Sequence, residues 1–399
     1  MSEKVKIIIV YPGMFIGGST TSLLSLLNEL DYSKADVDLL LADNHGELMS
    51  MIPGSVNVLA CPTYYQNKKM LRFRKLLSPI SCIQFIRAIC LSKKTGSFYA
   101  RQQITQKDNV RYYRSIEKEY DIAISYMELW SLYYLAEKIR AKKKIGWYHI
   151  DTSEVGMVPQ IEISTLKKYD TIVLVANKCK ENFDKQLPEY KEKSIVIENM
   201  LSKEIVLQRS KESLDFALPM IDSFKYRLIS VCRIDFKHKG LDRAVTVLSK
   251  LREVGVLTRQ IGWYIVGDGA DSRELRDMIS KCHLDDMVFM CGKFNNPMPL
   301  VAQSDIFFLP SHYEGKPMAV TEAQMLGVVP FVTHYQSAPE QIENGINGII
   351  MPNSEDGIYN ALKELCMDSY DLDKMKTEVQ GISFTNDDAM GIIENLIYG

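Results

Sequence analysis

The sequence lacks the spacings that staple a small fold or hold a metal in it. Its eight cysteines, at 61, 82, 90, 179, 232, 282, 291 and 366 of 399 residues, include no C-x-x-C pair and no zinc-like Cys/His spacing. They read as reduced, mostly buried thiols of a cytosolic protein. Charge of one sign is also missing. With 48 Lys and Arg against 50 Asp and Glu, the net charge is −2, which removes any whole-molecule case for nucleic acid or another polyanion as partner. No apolar run reaches the roughly 18 residues that cross a bilayer. The first apolar stretch, residues 7–10, is followed at once by Pro12 and Gly13, as in a buried strand and unlike a secretory signal. The expected location is the cytoplasm.

What is present is a soluble globular composition, 46% hydrophobic and 25% charged, in a chain long enough for two domains. Short β-branched runs alternate with helical patterns: VKIIIVY (5–11), STTSLLSLLNEL (19–30), VDLLLA (37–42), then DIAISY (121–126), KKIGWYHI (143–150), TIVLVA (171–176) and SIVIEN (194–199). The rhythm restarts with YRLISVCR (226–233), GWYIVGDG (262–269), DMVFMCG (286–292), DIFFLPS (305–311) and VVPFVT (328–333). Alternation of this kind predicts βαβ units on parallel sheets. The expected fold class is therefore α/β, two doubly wound Rossmann-like domains over 1–200 and 201–385, joined in the polar stretch 200–213. Open parallel sheets bind ligands beyond the carboxyl ends of their strands, so two such domains would face one another across a cleft that holds substrates.

The segment 64–114 interrupts this rhythm with twelve Lys and Arg against the single Asp108, interleaved with Leu, Ile and Phe. A basic amphipathic helix of this composition favours an anionic membrane surface. The competing reading is a solvated helical face covering the first domain. No recognised nucleic-acid module accompanies the charge.

Four loops after strands carry the chemistry. In YPGMFIGGST, Gly17 and Gly18 precede a helix expected to start near Ser19, where free N–H groups favour an anion; the spacing is neither G-x-G-x-x-G nor a Walker loop. In RIDFKHKG, Arg233, Lys237 and Lys239 crowd three cations ahead of a helix near Gly240, which self-repulsion disfavours unless solvent or an anion such as a diphosphate compensates. In IVGDGAD, Gly267 and Gly269 leave room and Asp271 or Ser272 is expected to cap the next helix; a nucleotide wall and a plain tight turn are both open. In SHYEGKPMAVTEAQMLG (311–327), Pro317 is expected as the first helical residue. The N–H groups of Lys316, Met318 and Ala319, after Gly315, would suit a phosphate. Glu314 lies before the helix and Glu322 about one turn into it. Two carboxylates on opposite sides of a helix start do not flank one glycosidic oxygen as a hydrolase pair does. They can grip hydroxyls on two parts of one long ligand, such as a sugar and a ribose.

E-G-x-P-M-x-x-x-E-A, with the DIFFLPS strand and R-x-x-x-x-x-K-G before it, resembles the retaining glycosyltransferases of family 4, which have the GT-B fold. The likeness is strong over 226–350 and weaker over the N-terminal half. It implies that Glu314 bonds the donor sugar's hydroxyls and Glu322 the ribose. Arg233 and Lys239 would neutralise the diphosphate and stabilise the leaving group, Gly17 and Gly18 would close over it, and Phe294 would border the base. His149, in GWYHIDTS, matches the family's acceptor-side histidine near the sugar. No metal or other cofactor is implied, in keeping with the lack of a D-x-D element at the strand ends singled out, and retention needs no enzymic nucleophile. The segment 386–399 would cross back to the first domain. Lys316 departs from the family's usual aromatic residue. Ser337, Ala338 and Pro339 stand where Gly-Gly commonly precedes Glu340.

The leading expectation is a hexosyltransferase that moves sugar with retention from a nucleotide diphosphate sugar, a UDP-sugar above all, to a glycan or polyprenyl-diphosphate-linked acceptor of bacterial surface polysaccharide. It would work in the cytoplasm, at the inner face of the membrane if 64–114 docks there. The alternatives are a GT-B-like sugar-nucleotide epimerase or phosphorylase, and a non-catalytic nucleotide-sugar-binding protein.

Overall fold

A computed structural model describes residues 4–63, 74–257 and 260–399. The chain forms two compact units, Met1–Met200 with Asn386–Gly399, and Leu201–Thr385.

The first unit holds seven parallel strands: β1 (Val5–Tyr11), β2 (Ala35–Leu41), β3 (Asn57–Ala60), β4 (Glu119–Ser125), β5 (Arg140–Tyr148), β6 (Thr171–Leu174) and β7 (Ser194–Val196). Their order is β3-β2-β1-β4-β5-β6-β7. The central strands are continuous apolar runs because helices cover both faces of the sheet, and Ile7, Ile8, Ile9 and Leu39 are fully buried. The order reverses between β1 and β4, paired Ile7 to Ile122. The loops leaving those two strands therefore diverge to opposite faces and open a crevice at the sheet's carboxyl edge. The helix Asp387–Tyr398 belongs to this unit and sets Ile393 and Ile397 into its core. Lys143 Nζ of β5 donates to the Leu396 carbonyl at 2.8 Å.

The second unit holds β8 (Tyr226–Val231), β9 (Ile261–Val266), β10 (Val288–Gly292), β11 (Ile306–Leu309), β12 (Val329–Thr333) and β13 (Ile349–Met351), all parallel, in the order β10-β9-β8-β11-β12-β13. Its reversal lies between β8 and β11, with Ile306 opposite Leu228. Apolar clusters cover the two faces of this sheet, one around Leu228, Trp263 and Phe308, the other around Ile229, Tyr264 and Phe307. That split follows the alternation of side chains along each strand.

Two expectations change here. The cysteines are free but not mostly buried: Cys61, Cys179 and Cys366 are, whereas Cys82 and Cys90 are exposed. The basic segment is a helical hairpin rather than one helix. Its helices Pro79–Thr95 and Phe98–Asn109 are joined where Gly96 takes the left-handed conformation (φ 68°) and Ser97 Oγ caps the second helix at Ala100 N. The part of that segment over 64–73 lies outside the described residues. Among the described residues, no helix is long and apolar enough to cross a membrane.

Candidate active site

The switch point of the second sheet brings the RIDFKHKG and SHYEGKP loops side by side, and hydrogen bonds fasten them. After β8 the chain turns through Cys232–Asp235 into a single helical turn, Phe236–Lys239. Asp235 caps it by accepting from His238 N at 3.3 Å, and its Oδ2 also accepts from Arg233 Nη2 at 3.2 Å and lies 2.8 Å from His238 Nδ1. Gly240 then sits at φ 58°, where a Cβ would strike the Pro310 carbonyl oxygen. From the helix that follows, buried Arg243 donates to the Pro310 carbonyl at 3.0 and 2.7 Å and to the Ser311 carbonyl at 2.8 Å. His312 N donates to the His238 carbonyl at 2.8 Å. One guanidinium thus ties the end of β11 to the helix after β8.

The pinned loops bring Lys239 and Glu314 together. Lys239 Nζ donates to Glu314 Oε1 at 2.6 Å, and Ser311 Oγ donates to the same oxygen at 2.6 Å. Burial pushes the Lys239 ammonium down in pKa, but the Glu314 carboxylate, with Cys232 adding to it, outweighs burial and the net direction is upward. Lys239 stays a cation at neutral pH. The three cations expected to crowd this loop are consequently not left to repel one another. Asp235 compensates Arg233, Glu314 compensates Lys239, and Lys237 is exposed to solvent.

Glu322 differs in kind. It lies in the eight-residue helix Met318–Met325, partly exposed, with its carboxyl set among protein atoms. Burial raises its pKa and Arg209 opposes that rise. Among the described residues no donor bonds its carboxylate. Hydroxyl donors of a ligand would satisfy it.

Pro317 is not the first helical residue. Its ψ of 116° is extended, so it stands at the N-cap and the helix begins at Met318. The first-turn amides of Met318 and Ala319 lie where helices leave N–H groups without internal partners, beside Gly315 and Lys316. The loop after β12 braces this turn. Ser337 Oγ donates to the Gly315 carbonyl, and Gln341 Nε2 donates to the Pro317 carbonyl at 3.2 Å and to Thr321 Oγ1 at 2.9 Å. Ser337 replaces a glycine of the expected pattern and adds a fastener that glycine does not have.

Gly267 and Gly269 also acquire a definite reason. A Cβ on either would collide with the carbonyl oxygen of Cys232 or Ile234, and Gly267 holds φ +147°. Their room is filled by the chain's own loop. Asp271 does not cap its own helix. Its Oδ2 accepts from Phe236 N at 2.7 Å, capping the short turn that carries Lys239, while Ser272 bonds back to Asp268 at 2.6 Å. Phe294 packs edge to face on Phe216, with ring centroids 5.0 Å apart.

In the first unit Gly17 caps the helix Gly18–Glu29, one residue earlier than expected, and a Cβ there would meet nothing within 4 Å. Tyr11 Oη anchors that helix start to Ser19 and Thr20 at 2.8 and 3.0 Å. His149 follows β5. Its ring lies against Tyr126 (centroids 5.1 Å) and Trp147 (6.5 Å). Neither ring nitrogen has a well-formed hydrogen bond, and Oδ1 of neighbouring Asn199 has none either. Burial holds the imidazole down at about 4, against the pull of Asn199 and the Tyr126 carbonyl, so it is neutral at pH 7. Glu128, in the loop after β4, was missed in the sequence. Its buried carboxyl accepts from His149 N at 3.1 Å, and Leu129 beside it holds the strained φ of 61°, as chain at functional turns often does. The signal available was its place one turn past a strand at the switch point.

The two Rossmann-like domains, each with its polar loops gathered at a switch point, define the GT-B fold. Residues 219–380, within the second unit, match the family described as Glycosyl transferases group 1. The chain is 32% identical over 136 residues to a putative colanic acid biosynthesis glycosyltransferase of Escherichia coli K12, covering 32% of each protein. It is 25% identical over 197 residues to an uncharacterized glycosyltransferase of Methanocaldococcus jannaschii, covering 48% of each. The matches thus span a third to a half of those relatives' own length. The whole fold is similar to Anabaena HepE in complex with UDP and glucose, at TM-score 0.70 and 14% identity over 98% of this chain and 99% of that one. It is also similar to a Rickettsia africae glycosyltransferase, at 0.66 and 16% over all of both chains.

Proposed function

We propose that the protein is a retaining hexosyltransferase of polysaccharide synthesis, family 4 in type, which takes its sugar from a UDP-sugar. The observation that carries this reading is the Lys239–Glu314–Ser311 cluster, with Glu322, whose carboxylate no described residue bonds, on the helix that follows, at the switch point of a region matching Glycosyl transferases group 1. Both structures of HepE with a glucose ligand also hold UDP or its glucose ester, which supports the choice of base.

In this reading Lys239 and Arg233 meet the diphosphate with the Met318 and Ala319 amides. Glu314, oriented by its bonds from Lys239 and Ser311, takes the sugar's hydroxyls, and Glu322 takes the ribose. The bond from the sugar's C1 to the phosphate oxygen breaks as the acceptor oxygen bonds C1 on the same face. The acceptor's proton passes to the departing diphosphate, so no enzymic nucleophile forms. The cations stabilise charge that develops on the leaving group, the electrostatic contribution that such sites make most strongly. In the first unit, neutral His149 offers a hydrogen-bonding group and Gly17 with Gly18 an open helix start. Two cations do the work of a divalent ion, so turnover needs no metal. The acceptor is a glycan or a polyprenyl-diphosphate-linked sugar at the cytoplasmic face of the membrane.

A thermal-shift screen against UDP-, GDP- and ADP-sugars tests the donor, with a UDP-sugar expected to stabilise most. Donor hydrolysis and transfer should persist in a chelator. If no UDP-sugar shifts the melting temperature and none is hydrolysed, the reading fails.

A further inference from the structure

The helical hairpin of the first unit exposes what a folded surface normally hides. Leu76, Leu77, Ile80, Ile83 and Ile86 are between 47% and 75% exposed. They form one patch at the start of the helix Pro79–Thr95, and large contiguous patches of this kind mark interaction surfaces. Residues 80, 83, 87, 91 and 94 recur at three- and four-residue spacing and so share a face. Along that face the apolar part passes into a groove of about 870 Å³, lined among others by Arg87, Leu91, Lys94, Ile104, Lys107 and Lys138.

The groove is cationic with apolar walls. Lys107 is committed to the Ile161 carbonyl and Ser164 Oγ, each at 2.8 Å. Among the described residues, Arg87 bonds only the Gln84 amide oxygen, at 3.3 Å, and neither it nor Lys94 nor Lys138 has a carboxylate partner. Of the acidic groups in the groove, Asp108 lies 3.8 Å from Arg111 and Glu137 lies 2.9 Å from Lys168. Between 74 and 114 there are nine Lys and Arg against Asp108 alone. Two copies apposed through this face would set like charges against each other, so a second copy is a poor occupant. An anionic surface with an apolar interior meets both halves of the face.

We propose that this hairpin docks the protein on an anionic phospholipid bilayer. Ile80, Ile83 and Ile86 insert among the acyl chains, and Arg87, Lys94 and Lys138 take headgroup phosphates at the end of the same face. Buried apolar side chains supply the depth and the cations supply selectivity for charge. The inference deepens the lipid-linked acceptor reading, on which it rests for a bilayer being the place of work, yet its test reads binding and not transfer, so the two fail separately.

Full-length protein is sedimented with vesicles of phosphatidylcholine alone and of equal parts phosphatidylcholine and phosphatidylglycerol. Binding is expected only to the mixed vesicles, and weaker as salt rises. The triple variant Ile80→Ser, Ile83→Ser, Ile86→Ser, at exposed positions that leave folding intact by melting temperature, should lose at least tenfold in affinity. Arg87→Gln with Lys94→Gln should lose about fivefold per cation, the equivalent of ~1 kcal/mol each. Equal binding to both vesicle types, no binding to either, or binding that survives both sets of substitutions would overturn the proposal. So would a dimer by light scattering that the triple variant converts to monomer, since a second copy would then cover the face.

Discussion

Lys239 and Glu314, 2.6 Å apart, compensate each other's charge at the strand ends of the second unit. Removing either leaves a partly buried charge uncompensated, which costs more than the pair contributes. Lys239→Met is expected to lower kcat by at least about a hundredfold, the scale set by loss of one preorganised charge-stabilising group. Glu322→Gln should instead raise the KM for the donor with a smaller change in kcat, because a ribose contact is made equally in ground and transition states. Steady-state kinetics on both variants checks the split. His149 carries a pH signature. Its imidazole is held at about 4 in the fold against an ordinary 6.5, so between those values the unfolded chain binds more protons. Its contribution is fully present above pH 6.5 and is lost as pH falls towards 4, by up to about 3 kcal/mol. Glu128 and Glu162, raised by burial, act in the opposite direction. The comparison is therefore urea unfolding of wild type and His149→Asn at pH 7 and pH 5, where the variant should lose less stability on acidification.

At the scale of elements, the central strands were legible because each is a continuous apolar run closed by glycine or polar residues. β1 has the bounds that its sequence suggests, and the others differ from expectation by a few residues at their ends. The edge strands β3 and β13 were not legible. Each has only three or four residues, and β3 faces solvent at Asn57 and Ala60, so neither leaves a hydrophobic run to read. Within the site, Glu314, Glu322, Lys239 and Arg233 were legible as residue types beyond strand ends. The roles of Asp271, Arg243 and Ser337 were not, because each acts on a partner far along the chain and bears no local pattern. Gly267 shows the difference. As sequence it was a wall or a turn; in the fold it lets two strand-end loops cross backbone to backbone. Gly267→Ala must relieve both a positive φ and a clash with the Cys232 carbonyl. It is expected to destabilise the second unit by about 2 kcal/mol or more and to weaken donor binding with it, which thermal unfolding with and without UDP would show. The same change at Gly17, where a Cβ meets open space, should leave stability within about 0.5 kcal/mol.

On the scale of the whole molecule, the chain leaves the first unit after Met200 and returns to it at Asn386. Ile393 and Ile397 are 2% and 7% exposed, so the returning helix completes a core and does not merely decorate one. Ile393→Ala with Ile397→Ala is expected to destabilise the first unit by roughly 2 to 5 kcal/mol per site if neither cavity collapses. Amide exchange should show this as lost protection in β5, which Lys143 ties to the helix, while β8 and β9 keep theirs. An equal loss in both units would mean that they unfold as one.

That return has a consequence during synthesis. A ribosome delivers residues in order, and domains tend to fold as they emerge. Residues 201–385 have all left the exit tunnel before the helix that finishes the first unit is free to dock. For that interval the nascent first unit shows the apolar groove that Ile393 and Ile397 will fill, and a chaperone that binds exposed hydrocarbon has its opening there. A chain that stopped short of Ile393 would have a second unit that is whole and a first that is not, a product that quality control can recognise by that groove.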